Sequence, residues 1–125
     1  MYNHHIIDIE FETEAPCEEM EMFRNTLLDL CKESGATVMN EYFHQFKEPY
    51  QGFTGVICLA ESHVSIHTWP ETHYSAVDIF TCGQNMKPDI SCKYLIQTLM
   101  AGEHLLRVIN RNPPLTVHNQ IRTIN

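Results

Sequence analysis

The sequence predicts an α+β fold, a two-layer α/β sandwich in which two helices cover one face of a mainly antiparallel sheet. Three observations carry that prediction. Two stretches repeat apolar residues at helical spacing. Several β-rich segments follow one another between them, joined by short turns. The resulting order, β-α-β-β-β-β-α-β with room for one more strand, groups strands together instead of alternating them singly with helices. With 125 residues, 43% of them hydrophobic, and no repeat, low-complexity tract or long linker, the chain reads as a single domain over residues 1–125.

Residues 4–9 form the first expected strand, with imperfect alternation. Pro16 then opens a helix in which Met20, Phe23, Leu27, Leu30 and Cys31 share a face. Acidic residues crowd its first turn, Lys32 sits in its last, and Gly35 stops it. Residues 36–46, rich in aromatic and β-branched side chains, read as a strand, and residues 47–52 as a turn. Two strands then run up to and away from a polar Glu61-Ser62 step, the second closed by Trp69 and Pro70. Residues 75–81 alternate as a further strand that Cys82 and Gly83 end. Pro88 starts a second helix with Cys92, Leu95, Ile96 and Leu99 on its apolar face, and Gly102 stops it. Residues 105–109 and 115–118 are short final strands, parted by Asn112, Pro113 and Pro114.

Composition narrows the function classes. The formal charge is −8, from 16 acidic and 8 basic residues, which disfavours nucleic acid and anionic membrane as partners because their phosphates recruit clustered Lys and Arg. No apolar run approaches the roughly 20 residues that cross a bilayer. The N-terminus lacks the cationic start and apolar centre of a secretory signal, so a cytoplasmic protein is expected. Five cysteines, at 17, 31, 58, 82 and 92, make an odd count with no CxxC pair, which suits neither a disulfide framework nor a structural zinc site.

The centre of the chain departs from ordinary packing. Ser62, His63, Ser65, His67 and Thr68 place five polar side chains in an expected strand. Alternation puts His63, Ser65, His67 and Trp69 on one face. His63 and His67, four apart, would converge on a metal if they lay on a helix, but on a strand they stand roughly 13 Å apart. HVSIH also lacks the Glu beside the first His that metal-dependent hydrolases use as a base. Ser62 sits in no GxSxG elbow, which argues against a Ser-His hydrolase. Spacing alone leaves a polar sheet face with satisfied histidines as a further reading.

The run LAESHVSIHTWPE followed by YSAVDIFTCG resembles the signature of the bacterial S-adenosylmethionine decarboxylases, the small class that makes its own pyruvoyl group. The resemblance is strongest from Phe43 to Gly83. It implies a self-processing lyase that converts S-adenosylmethionine to its decarboxylated form plus CO₂ for spermidine synthesis. It also implies cleavage between Glu61 and Ser62, giving chains 1–61 and 62–125. The Ser62 hydroxyl would attack the Glu61 carbonyl, the ester would collapse by β-elimination, and the dehydroalanine would hydrolyse to a pyruvoyl group at position 62. That group would form a Schiff base with the substrate and act as electron sink.

By the same resemblance, His67 is the processing base, Thr54 supports the processing intermediate, and Cys82 returns a proton to the substrate's α-carbon. Phe46 and Trp69 offer aromatic surfaces to adenine and the sulfonium, and Glu71 a carboxylate to the ribose hydroxyls. No metal is expected, and a homodimer of processed protomers is. The loop after Phe46 is slightly longer than the family's usual one, which bears on the adenine contacts. Two rivals remain open: a pyruvoyl-dependent ornithine or arginine decarboxylase, and an unprocessed, non-catalytic binding paralogue.

Overall fold

The computed structural model describes residues 2–82 and 102–111. Within them the strands are β1 (Tyr2–Glu10), β2 (Val38–Gln45), β3 (Phe53–Leu59), β4 (His63–Trp69), β5 (Tyr74–Cys82) and β6 (Glu103–Arg111), and one helix, α1 (Met20–Glu33), follows β1. The strands form one antiparallel sheet in the order β2-β3-β4-β5-β1-β6. This agrees with the expected sheet and first helix. The second expected helix, residues 88–99, and the strand at 115–118 lie outside the described residues, as do Gly83 and Cys92.

One boundary differs. Pro16 does not begin the long helix but sits in a 3-10 turn, Ala15–Glu18, and α1 begins afresh at Met20. The break frees the Cys17 carbonyl, which accepts the Thr68 hydroxyl at 2.7 Å, while the Cys17 side chain enters the core. A continuous helix would commit that carbonyl to an amide four residues on. At the other end, Gly35 takes φ 83°. Its N–H donates to the Lys32 carbonyl at 3.1 Å and the Ala36 N–H to the Cys31 carbonyl at 2.9 Å, the paired bonds of a Schellman stop.

Strand alternation gives the sheet two unlike faces. Ile7, Ile9, Phe53, Ile57, Val64, Ile66, Val77 and Ile79 point to one side, where Phe23, Leu27, Leu30 and Cys31 of α1 bury them. Truncating one of these side chains to Ala costs about 2–5 kcal/mol, because the cavity it leaves collapses only in part. A two-pronged ion pair holds α1 to β2 at the sheet edge: Arg24 Nε donates to both Glu41 carboxylate oxygens, at 2.9 and 3.0 Å. The opposite face carries His4, Asp8, Tyr42, His44, Thr54, Cys58, His63, Ser65, His67, Trp69, Tyr74, Asp78, Phe80 and Cys82, half-buried or exposed. Among the described residues this face has no helix on it. No helix among them is long and apolar enough to cross a membrane.

Candidate active site

The Glu61-Ser62 step forms the turn between β3 and β4. The Leu59 N–H donates to the Ser62 carbonyl at 3.0 Å, and the Ala60 N–H to the Thr37 carbonyl at 3.0 Å, so the turn is tied to its own strand and to the segment after α1. Glu61 is exposed and Ser62 half-buried. The β4–β5 register pairs His63 with Phe80, which brings Cys82, two residues on and on the same face as Phe80, beside the turn. Glu61, Ser62 and Cys82 thereby line one cleft of about 200 Å³, with Gly35, Ala36 and Thr37 on its other wall. Of the cysteines in the described residues, Cys17 and Cys31 are buried in the core; burial raises both thiols, Cys31 to about 11. Cys82 is half-exposed in the cleft.

A second cluster lies at the other end of β4. The register aligns Thr54, His67 and Ala76 across β3, β4 and β5. Thr54 Oγ1 and His67 Nδ1 are 2.5 Å apart. In the tautomer whose Nδ1–H donates to Thr54, the imidazole Nε2 keeps its lone pair, the form a base requires. The His67 ring packs between Trp69, at 4.2 Å between centroids and 54° tilt, and Phe46, at 5.8 Å. Pro70 ends β4 and starts a 3-10 turn that carries Glu71. Phe46, His67, Trp69 and Glu71 line a cleft of about 300 Å³ together with Tyr50.

The site residues expected from sequence are therefore gathered into two groups, not one. Ser62 and His67 are five residues of extended chain apart, roughly 16 Å at strand rise. His63 belongs to neither cleft; it stacks on Phe80 at 5.4 Å and 25°. Among the described residues no three His, Cys, Asp or Glu side chains form a cluster able to hold a metal ion. Two contributors were missed in the sequence. The segment 35–37 walls the Ser62 cleft, and its signal was the glycine that ends α1. Tyr50 joins the second cleft because the Phe46 N–H donates to the Gly52 carbonyl at 2.8 Å, folding residues 47–51 back over it. Gly52 permits that return, since a Cβ there would lie 2.5 Å from the Thr68 carbonyl oxygen.

The profile of the S-adenosylmethionine decarboxylase family matches residues 3–112. The chain belongs to that family. A relative from Synechococcus sp. (strain WH7803), named S-adenosylmethionine decarboxylase proenzyme, is 42% identical over 120 residues, covering 96% of this chain and 92% of the relative. A relative of the same name from Prochlorococcus marinus (strain MIT 9313) is 41% identical, covering 95% and 94%. The crystal structure of the adenosylmethionine decarboxylase from Aquifex aeolicus VF5 superposes with a TM-score of 0.80 at 31% identity, covering 96% of this chain and 98% of that one. Membership of the S-adenosylmethionine decarboxylase family thus extends over both clefts, since the matched residues include the whole of β1 to β6 but for Tyr2.

Proposed function

We propose that the chain is a proenzyme that cleaves itself between Glu61 and Ser62 and, once processed, decarboxylates S-adenosylmethionine. The observation that carries this reading is the convergence of Glu61, Ser62 and Cys82 in one cleft of a chain of this family. Each relative named above bears the adenosylmethionine name, which favours that substrate over ornithine and arginine.

The residues around the step suit a pyruvoyl group. Ser62 stands at a turn, outside the strand ladder, with room beside it and a half-exposed thiol on the same wall. Ser62 Oγ attacks the Glu61 carbonyl carbon, and the peptide C–N bond breaks as an ester forms. Removal of the Ser62 α-proton by His67 Nε2 then expels Glu61 as a carboxylate. Thr54, accepting from His67 Nδ1, has its own hydroxyl proton free for the intermediate's oxygen. Elimination leaves a dehydroalanine at position 62, which water hydrolyses with loss of ammonia. The pyruvoyl group so formed would supply a ketone able to accept an amino group and to take up the electron pair left by departing CO₂. Cys82 delivers the proton to the substrate's α-carbon. Phe46 and Trp69 receive the adenine and sulfonium, and Glu71 the ribose hydroxyls.

The roughly 16 Å between Ser62 and His67 forbids this chemistry within one copy. Two copies related by a twofold axis, packed through the faces that bear both clefts, bring the Ser62 end of one against the His67 end of the other. Tyr42, 69% exposed, Val56 and Phe46 supply apolar surface for such a contact. The working unit is then a homodimer with two composite sites and its helices outermost.

Intact-mass spectrometry of purified protein tests the cleavage. Chains 1–61 and 62–125, the latter with a blocked N-terminus, are expected, and an uncleaved chain after long incubation refutes the reading. Release of labelled CO₂ from S-adenosylmethionine, with ornithine and arginine assayed in parallel, tests the substrate.

A further inference from the structure

The second cleft is held from a distance by a line of contacts that crosses four strands. Trp69 and Tyr74 are cross-strand partners, and their rings stack at 5.2 Å and 14°. The opposite neighbour of Trp69 is His67, at 4.2 Å. The Tyr74 hydroxyl donates to Asp8 Oδ1 on β1, and the other oxygen of that carboxylate accepts from Arg107 Nη1 on β6 at 3.2 Å. Burial, and then the Asp8 carboxylate that takes its hydrogen bond, push the Tyr74 phenol up to about 12, so it remains a donor at every physiological pH. Ala76 is the direct cross-strand partner of both Asp8 and His67. Its methyl group is too short to connect them, and the connection runs through the aromatic pair one row away.

We propose that Tyr74 is a positioning residue: pinned by Asp8 through its hydroxyl, it fixes the plane of Trp69 and, through Trp69, the direction of the His67 imidazole. This rests on the roles given above to His67 and Trp69. Trp69 has a rotatable ring on a half-open face, and a flat partner on one side removes most of that freedom before any ligand arrives. His67 is held by Thr54 at Nδ1 and flanked by the tilted Trp69 ring, which together restrict the directions in which Nε2 points. Misdirection of a base by about 1 Å costs up to a hundredfold in rate. Arg107 completes the anchor by neutralising Asp8 without competing for the oxygen that Tyr74 uses.

The test compares Tyr74→Leu, which removes the stack and the anchor, with Tyr74→Phe, which keeps the stack. Trp69 is the chain's single tryptophan, so its emission, and the quenching of that emission by a protonated neighbouring imidazole, report on this cluster. A His67→Ala chain identifies the acid-dependent part of the signal. Expected for Tyr74→Leu are a shifted Trp69 emission, altered acid quenching and self-cleavage slower by roughly tenfold to a hundredfold. Tyr74→Phe, which keeps the stack and loses only the anchor to Asp8, falls between Tyr74→Leu and wild type, with cleavage slowed by about threefold to tenfold and a smaller shift of the emission. Wild-type cleavage in a folded Tyr74→Leu chain overturns the proposal. So does equal slowing in both variants that tracks an equal loss of thermal midpoint, which marks a purely structural role. If the wild-type chain itself does not cleave, the proposed function fails instead. The emission experiment still decides the positioning claim, and unchanged acid quenching in Tyr74→Leu overturns it.

Discussion

The two ends of β4 are built on opposite terms. At the β3–β4 turn, Ser62 and Cys82 share a cleft with no histidine among the described residues that line it. At the far end, His67 has a hydroxyl partner and two aromatic neighbours, and the described residues that line its cleft include no serine or cysteine. On the proposed reading, one end holds the group to be processed, and the other the means of processing it. Both lie along β4 and the turn that leads into it, yet an extended strand keeps them apart, since it has no way to fold five residues back on themselves. On that reading the chain presents two halves of a site, and complementation between copies is the economical way to join them.

That comparison is sharpest under mutation. Ser62→Ala abolishes cleavage outright, leaving one species by intact mass. His67→Ala slows it by about a hundredfold or more, the range lost with a general base. Co-expressing the two tests the division of labour, because a mixed dimer unites an intact Ser62 with an intact His67 in one of its two sites. Cleavage of about half of the His67→Ala chains is expected from random pairing, and none of the Ser62→Ala chains. If no His67→Ala chain is cleaved in the mixture, the two ends do not meet between copies.

Next in size is Cys82→Ala, which spares the processing residues. It still yields both fragments but loses most CO₂ release, by about two orders of magnitude or more. Normal turnover there removes Cys82 from the mechanism. Thr54→Val keeps the strand shape and removes the hydroxyl beside His67. Self-cleavage should slow by about tenfold to a hundredfold while the thermal midpoint barely moves.

The smallest effect is on stability at high pH. Tyr74 ionises near 10 when unfolded and near about 12 when folded, so the folded state favours the protonated phenol. Its contribution is complete below pH about 10 and is lost as pH rises from there through about 12. Urea midpoints measured at about pH 9 and about pH 11 should fall less for Tyr74→Phe than for wild type. An identical fall in the two shows that folding does not favour the protonated phenol, whether through burial or through Asp8.

Much of the polar sheet face was legible in the sequence because alternation is a local property. Residues 63, 65, 67 and 69 lie on one side of any extended strand, and the structure leaves that side half-open. The stop at Gly35 was legible for a similar reason, since a backbone at φ 83° favours glycine whatever surrounds it. The start of α1 was not. Pro16 is a good first helical residue, and its demotion to a 3-10 turn depends on Thr68, 51 positions away, claiming the Cys17 carbonyl. Tyr74 and Asp8 were equally silent, because their pairing requires β1 to lie beside β5.

The Glu61-Ser62 step, its strand neighbours and the cysteine 20 positions on were marked in the sequence by their resemblance to the family's signature, which is a matter of residue types and their order. Residue order could not say where they stand. Antiparallel pairing of His63 with Phe80 brings Cys82 to Ser62, and the rise of β4 carries His67 away from it. Both follow from register, a relation between segments that hydrogen bonding settles only once the sheet has formed.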